Sequence, residues 1–309
     1  MRQTLRLGKL FAIAVDVHIS WIVVYALVTS SLVGELRNVP HSLGFVLAAI
    51  GALLLFASVI AHEFGHALVA RRFGVRTRSI TLFMFGGVAM LETEPPTPRA
   101  EVAVALAGPA VSFALAGVFY IATMGAALVL RGALGESVAT VLAYGAIANA
   151  GLGAFNLIPA FPMDGGRVLR AILWRLRRSQ ASGTAIASLA GIVLAISLGI
   201  TGIILVASTR EWQYGWYVLM GGFLIRNGWS AYRSARLVER LERVTVGDLM
   251  EPHGEEILAS EAGPTLPRTA TGLEALAAFR ASDRSFIDVV EEGRITGRLM
   301  RTRALALAG

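Results

Sequence analysis

The sequence contains no cysteine, which excludes disulfides and thiolate metal ligands, so any metal ion must be held by histidine, aspartate or glutamate. Charge is scarce as well. Only 16% of residues are charged while 55% are hydrophobic, and the mean hydropathy is +0.64, a balance that excludes an ordinary soluble protein. Lysine is almost absent: of the 28 basic residues all but Lys9 are arginine. Those arginines are dispersed among loops between apolar runs rather than gathered on one face, which excludes a nucleic-acid-binding surface. The composition is that of an α-helical polytopic membrane protein.

The net charge of +7 is unevenly distributed. Residues 1–243 carry 21 basic and 11 acidic side chains (+10), and residues 244–309 carry 7 and 10 (−3). A basic membrane part, 1–235, is therefore expected to precede a small acidic α+β domain over 244–309. Apolar runs place about six transmembrane helices near 15–34, 42–70, 101–130, 137–161, 182–208 and 212–232. The sixth is the weakest, with fourteen uncharged residues before Arg226. With the N-terminus inside, thirteen basic residues fall in inner segments and three (Arg37, Arg131, Arg210) in outer loops, so the positive-inside rule puts both termini in the cytoplasm. Arg2, Arg6 and Lys9 precede the first run as in a signal peptide, but no small-residue cleavage site follows, and a retained first helix is expected.

The second run ends in the chemically most informative stretch, His62-Glu63-Phe64-Gly65-His66. On a helix the two histidines stand one turn apart on one face and can share a metal ion, with Glu63 beside them to take a proton from water. The preceding residues 42–61 carry no charge, so this chemistry lies at membrane depth, where ionisable side chains are costly and functional by default. After Arg78, residues 79–91 are apolar but too short to span, and Gly86-Gly87 lies among them. Two short strands around a glycine turn, dipping in against protein, or a loop lying at the interface both fit. In the third run Pro109 either kinks the helix or begins its regular part, and Gly108 and Gly117 permit close helix packing.

Two histidines leave a catalytic zinc site one protein ligand short. A candidate lies at the end of the fourth run, Asn156-Leu-Ile-Pro159-Ala-Phe-Pro162-Met-Asp164-Gly165-Gly166. Here the prolines break the helix, the glycines allow a tight turn, and a carboxylate on unwound backbone can be aimed at a metal. Together with Phe85-Gly86-Gly87 and Ala107-Gly108-Pro109, these motifs in this order resemble the site-2 protease family of intramembrane zinc metalloproteases, over about residues 10–235. The resemblance implies one zinc ion per chain held by His62, His66 and Asp164. It also implies Glu63 as general base, Asn156 on the substrate or the developing oxyanion, and substrate contacts from Gly86, Gly87, Pro159 and Pro162. The implied partners are the lipid bilayer and a transmembrane substrate such as an anti-sigma factor or a signal-peptide remnant, in a bacterial cytoplasmic membrane.

The tail from Val244 resembles a single CBS (cystathionine-β-synthase-type) regulatory domain, with strands expected near 286–290 and 295–299 and a helix near 273–280. Nucleotide-binding copies carry Thr and Asp after the final strand, where this chain has Met300 and Arg303. A lone copy of such a module implies a homodimer through the tail. A metal-ion transporter is the alternative reading of six spans with intramembrane His and Asp, though the runs offer few further ligands beyond Asp16 and His18.

Overall fold

A computed structural model of the chain describes residues 4–84, 86–258, 264–292 and 294–306; Phe85, at the start of the glycine motif, and Gly293, in the turn of the tail, lie outside the described residues. The chain opens with two strands, β1 (Thr4–Leu10) and β2 (Ile13–His18), where the sequence reading places only a basic lead-in and the start of a span. The alternation Ile13, Val15, Val17 is the period-two signal of a half-buried strand, and the turn between the strands puts Phe11 and Ala12 at positive φ. The first apolar helix, α1 (Trp21–Glu35), accordingly starts later than expected and has 15 residues. At about 1.5 Å per residue it extends some 22 Å, less than a hydrocarbon core of about 30 Å.

Next come α2 (His41–Arg72), then β3 (Thr77–Phe83) and β4 (Gly86–Leu91). The strand pair settles the two open readings of this segment in favour of strands. What the sequence did not reveal is that they join the N-terminal pair in one four-stranded sheet, ordered β1-β2-β3-β4, in which β2 and β3 run parallel and the outer pairs antiparallel. Ile13, Val15 and Ile80 of this sheet bury against Phe64 and Ala67 of α2, so the sheet is held on the helix that carries the histidines.

Helix α3 (Pro98–Val129) is capped by Thr97, whose hydroxyl accepts the Ala100 amide, and it runs unbroken through Pro109. Helix α4 (Gly132–Asn156) ends where Pro159 and Pro162 forbid further helix. A seven-residue loop then leads to α5 (Asp164–Arg177), an amphipathic helix absent from the sequence reading. Helices α6 (Gln180–Thr209) and α7 (Gly215–Arg243) follow, separated by a single 3-10 turn. Among the described residues four helices, α2, α3, α4 and α6, are long and apolar enough to cross a membrane. Of the other two expected spans, the first is shortened because its start belongs to β2, and α7 is apolar only up to Arg226 and charged beyond it.

The tail is a second four-stranded sheet, β5-β8-β7-β6, with β5 (Glu251–Leu258), β6 (Thr265–Pro267), β7 (Phe286–Glu291) and β8 (Arg294–Met300). It is accompanied by α8 (Val246–Leu249), α9 (Gly272–Ala281) and α10 (Arg301–Ala306). Its core of Val246, Leu276, Phe279, Ile287, Val289 and Leu299 also takes in Leu241 from α7, so that helix continues without a break into the small domain. The entry to α8 is a capping box in which Thr245 donates to Asp248 from its hydroxyl (2.7 Å) and its amide (3.0 Å), and these bonds hold the Asp248 carboxyl below the usual carboxylate range.

Candidate metal centre

The site is assembled from α2, α3, β4 and the start of α5. On α2, His62 and His66 are both buried, and helical geometry puts their rings on one face. The opposing face of α3 is the stripe Glu101, Val104, Gly108 and Ser112. The Ser112 hydroxyl meets His62 Nδ1 at 2.8 Å, and the Val104 carbonyl meets His66 Nδ1 at 2.7 Å. A carbonyl can only accept, so His66 carries its proton on Nδ1 and its Nε2 is left with a free lone pair. That is the tautomer and orientation of a metal-binding imidazole.

Asp164 reaches the same point from the other half of the chain. Its Oδ2 lies 3.3 Å from His62 Nε2 and 3.1 Å from His66 Nε2, and the two nitrogens are 3.2 Å apart. A triangle of that size has its corners about 1.8 Å from its centre, just inside the zinc–nitrogen distance of about 2.0–2.1 Å, so one ion fits among the three atoms. The donor set of two imidazoles and one carboxylate is a catalytic zinc set that leaves one position open. Among the described residues this is the one group of three His, Asp or Glu close enough to hold a metal ion.

Glycines allow these elements to approach. A Cβ at Gly108 would stand 2.2 Å from His66 Nε2 and 2.5 Å from His62 Nε2, so the imidazoles occupy the space a side chain would fill. The sequence reading gave Gly108 only a helix-packing role. A Cβ at Gly87 would lie 2.6 Å from Glu63 Cγ, which shows how closely the β4 backbone crosses that carboxylate. Gly165 and Gly166, expected in a tight turn, instead form the first turn of α5, with the backbones of Leu157 and Phe161 where their Cβ atoms would be. Asp164 correspondingly opens a helix rather than sitting on unwound backbone. The loop before it is pinned to α6, because the Phe161 amide donates to the Ala187 carbonyl at 3.0 Å and Gly191 lets the helix pass against Phe161.

A cavity of about 250 Å³ opens beside the three donor atoms, bounded by Glu63 on one side, Gly86 to Ala89 of β4 on another, and Asn156, Pro162 and Arg167. The structure therefore brings together His62, His66, Asp164, Glu63, Asn156, Gly86, Gly87 and Pro162. Pro159 lies outside this lining. Asn156, the last residue of α4, donates to the Leu152 carbonyl at 3.0 Å while facing the cavity. Sequence reasoning missed Ser112, Arg167 and the fully buried Glu101, which bonds Arg167 and Arg170. Glu101 had a signal, as a lone carboxylate at the very start of the third apolar run; Ser112 had none.

Comparison with known proteins agrees with this geometry. The family model described as peptidase family M50 matches residues 50–135 and 129–200. A Synechocystis sp. protein assigned as a zinc metalloprotease is 40% identical over 84% of this chain and 68% of its own length. The Mycobacterium tuberculosis protein Rip3, with the same assignment, is 38% identical over 88% of this chain and 66% of its own. The solved site-2 protease from Methanocaldococcus jannaschii superimposes with a TM-score of 0.53 at 31% identity, covering 74% of this chain and 95% of that one. Relatives of this identity and coverage, with a zinc-type donor set from α2 and α5, establish that the chain belongs to peptidase family M50, the site-2 protease family of zinc metalloproteases.

Proposed function

We propose that the protein is an intramembrane zinc endopeptidase that cleaves a transmembrane segment of another membrane protein near its cytosolic end. The observation that carries this is the meeting of His62, His66 and Asp164 in one cavity with Glu63 and the edge of β4. In this reading His62, His66 and Asp164 hold the zinc ion, which supplies Lewis-acid activation of water and of the scissile carbonyl. Glu63 takes the proton as the water oxygen attacks and delivers it to the leaving nitrogen. Glu63 lies nine residues before the end of α2, about 14 Å from it at 1.5 Å per residue, which sets the depth of cleavage. A helical peptide bond is shielded by its own hydrogen bonds, so the substrate must unwind; β4, an edge strand of its sheet, can hold it extended through backbone pairing. Asn156 and Pro162, opposite that strand, complete the substrate walls.

The remaining assignments follow the same reading. α1 and α7 accompany the four long helices as further membrane-embedded helices, the exposed aromatics Trp212 and Trp229 marking the ends of α7's apolar part. Both termini face the cytoplasm of a bacterial inner membrane, an orientation the distribution of arginines supports. The tail is a single CBS-like module through which two chains pair, which chemical crosslinking with and without residues 244–309 would test. Substrates are membrane-inserted regulators or signal-peptide remnants.

The protease reading is tested on protein purified in detergent. Wild type should bind about one zinc per chain and cleave members of a mixed set of single-span substrates, Glu63→Gln should keep zinc and lose cleavage, and Asp164→Asn should lose zinc. Zinc transport into proteoliposomes that survives Glu63→Gln, with no cleavage of any substrate by wild type, would point instead to a transporter.

A further inference from the structure

Asp164, Arg167 and Arg170 follow one another at intervals of three on α5, so they form one stripe on the face turned to α3. Glu101 of α3 meets that stripe. It has no solvent exposure, and its Oε1 accepts from Arg167 Nε at 3.0 Å and from Arg170 Nη2 at 2.7 Å. Arg167 uses its Nε for this bond, which leaves the far edge of the guanidinium free to turn the other way. There Nη1 stands 3.9 Å from Asp164 Oδ1, while Asp164 Oδ2 faces both histidines. Each oxygen of the carboxylate thus has its own partner. Arg170 differs at this point: its second partner is Glu94, 3.9 Å away on the exposed loop before α3, and it makes no ion pair with Asp164.

We propose that Arg167 is a positioning residue of the metal site: anchored by the buried Glu101, it fixes the rotation of the Asp164 carboxylate so that one oxygen is presented to His62 and His66. This rests on the assignment of Asp164 as a zinc ligand. A carboxylate on the first residue of a helix has free rotation about its side-chain torsions, and a partner that holds the non-ligating oxygen removes that freedom before the ion arrives. The planar fork of arginine suits the task, because its Nε and Nη groups diverge and can serve Glu101 and Asp164 together; a lysine ammonium on its flexible stem cannot hold both in fixed geometry. The arrangement also accounts for a fully buried carboxylate in α3 shared by two arginines, one directed to the metal centre and the other to the loop.

The test uses the full chain in detergent, with zinc affinity measured by competition against a chromophoric chelator and thermal unfolding measured with and without zinc. Arg167→Gln should weaken zinc binding about 10–100-fold, Arg167→Lys should fall between it and wild type, and Glu101→Gln should match Arg167→Gln with no further loss in the double variant. Arg170→Gln breaks the same buried cluster without touching Asp164, so it should lower the unfolding midpoint of the zinc-free protein yet leave zinc affinity within about threefold of wild type, a span small beside the 10–100-fold cost of losing an outer partner. Equal zinc affinity in Arg167→Gln and wild type would overturn the proposal, as would an equal loss in Arg170→Gln, which would reduce both arginines to staples between α5 and α3. A wild-type protein that binds no zinc would instead overturn the metal-site assignment beneath it.

Discussion

Gly108 offers the sharpest test of the site because the structure gives the size of the conflict. A Cβ there would stand 2.2 Å from His66 Nε2, 2.5 Å from His62 Nε2 and 2.6 Å from His66 Cε1. Ordinary contact needs about 3.4 Å or more, so Gly108→Ala must displace an imidazole by roughly 1 Å, several times the tolerance of about 0.2 Å on metal–ligand distances. The rings cannot withdraw easily, since Ser112 and Val104 hold their Nδ1 atoms. Stability and metal binding should therefore separate. Overpacking costs about 1–3 kcal/mol, and replacing a mid-helix glycine with alanine returns about 1 kcal/mol, leaving the fold weakened by about 0–2 kcal/mol. Zinc affinity should fall at least about 100-fold, or about 2.7 kcal/mol, because the displaced ring leaves bonding range. Gly117→Ala, nine residues on in the same helix with open space around its Cβ, is the matched control and should bind zinc as wild type does. The assay is zinc competition on detergent-purified protein beside thermal unfolding. Wild-type zinc affinity in Gly108→Ala would refute the geometry.

Three further outcomes are expected. Gly87→Val pushes a β-branched side chain into Glu63 and across the edge of β4, so it should abolish cleavage of single-span substrates while zinc content, read by elemental analysis, stays near one per chain. Ser112→Ala removes the 2.8 Å partner of His62 Nδ1 and should weaken zinc about 10-fold by the same competition assay. In the tail, Phe279→Ala opens a cavity in a fully buried position and should destabilise that domain by about 3–5 kcal/mol. Limited proteolysis should then release the tail while zinc remains bound to the membrane part.

The H-E-x-x-H pair was legible in the sequence because a helix fixes i and i+4 on one face whatever surrounds it, and its setting was legible because twenty uncharged residues precede it. Asp164 could be nominated only because two histidines need a third ligand. Its placement, 3.1 and 3.3 Å from their Nε2 atoms across about a hundred residues of chain, belongs to the packing of α5 on α3. The strands β3 and β4 were likewise readable from a short apolar segment around paired glycines, whereas their union with β1 and β2 was not. Strand pairing across α1 and α2 is a non-local event with no marker in either segment.

What the sequence determined by itself was therefore local and periodic: long apolar runs, the metal-binding pair on one of them, the helix break at Pro159 and Pro162, and a small α+β tail. What the tertiary structure decided was every relation across the chain. It showed that Gly108 makes room for two imidazoles, that β4 crosses Glu63 at Gly87, and that Glu101 joins α3 to the helix bearing Asp164. The reason is physical. Helix and strand periodicity are written in neighbouring residues, but a hydrogen bond such as Ser112 to His62 depends on how two helices are rotated against each other, and that is fixed only when both are packed.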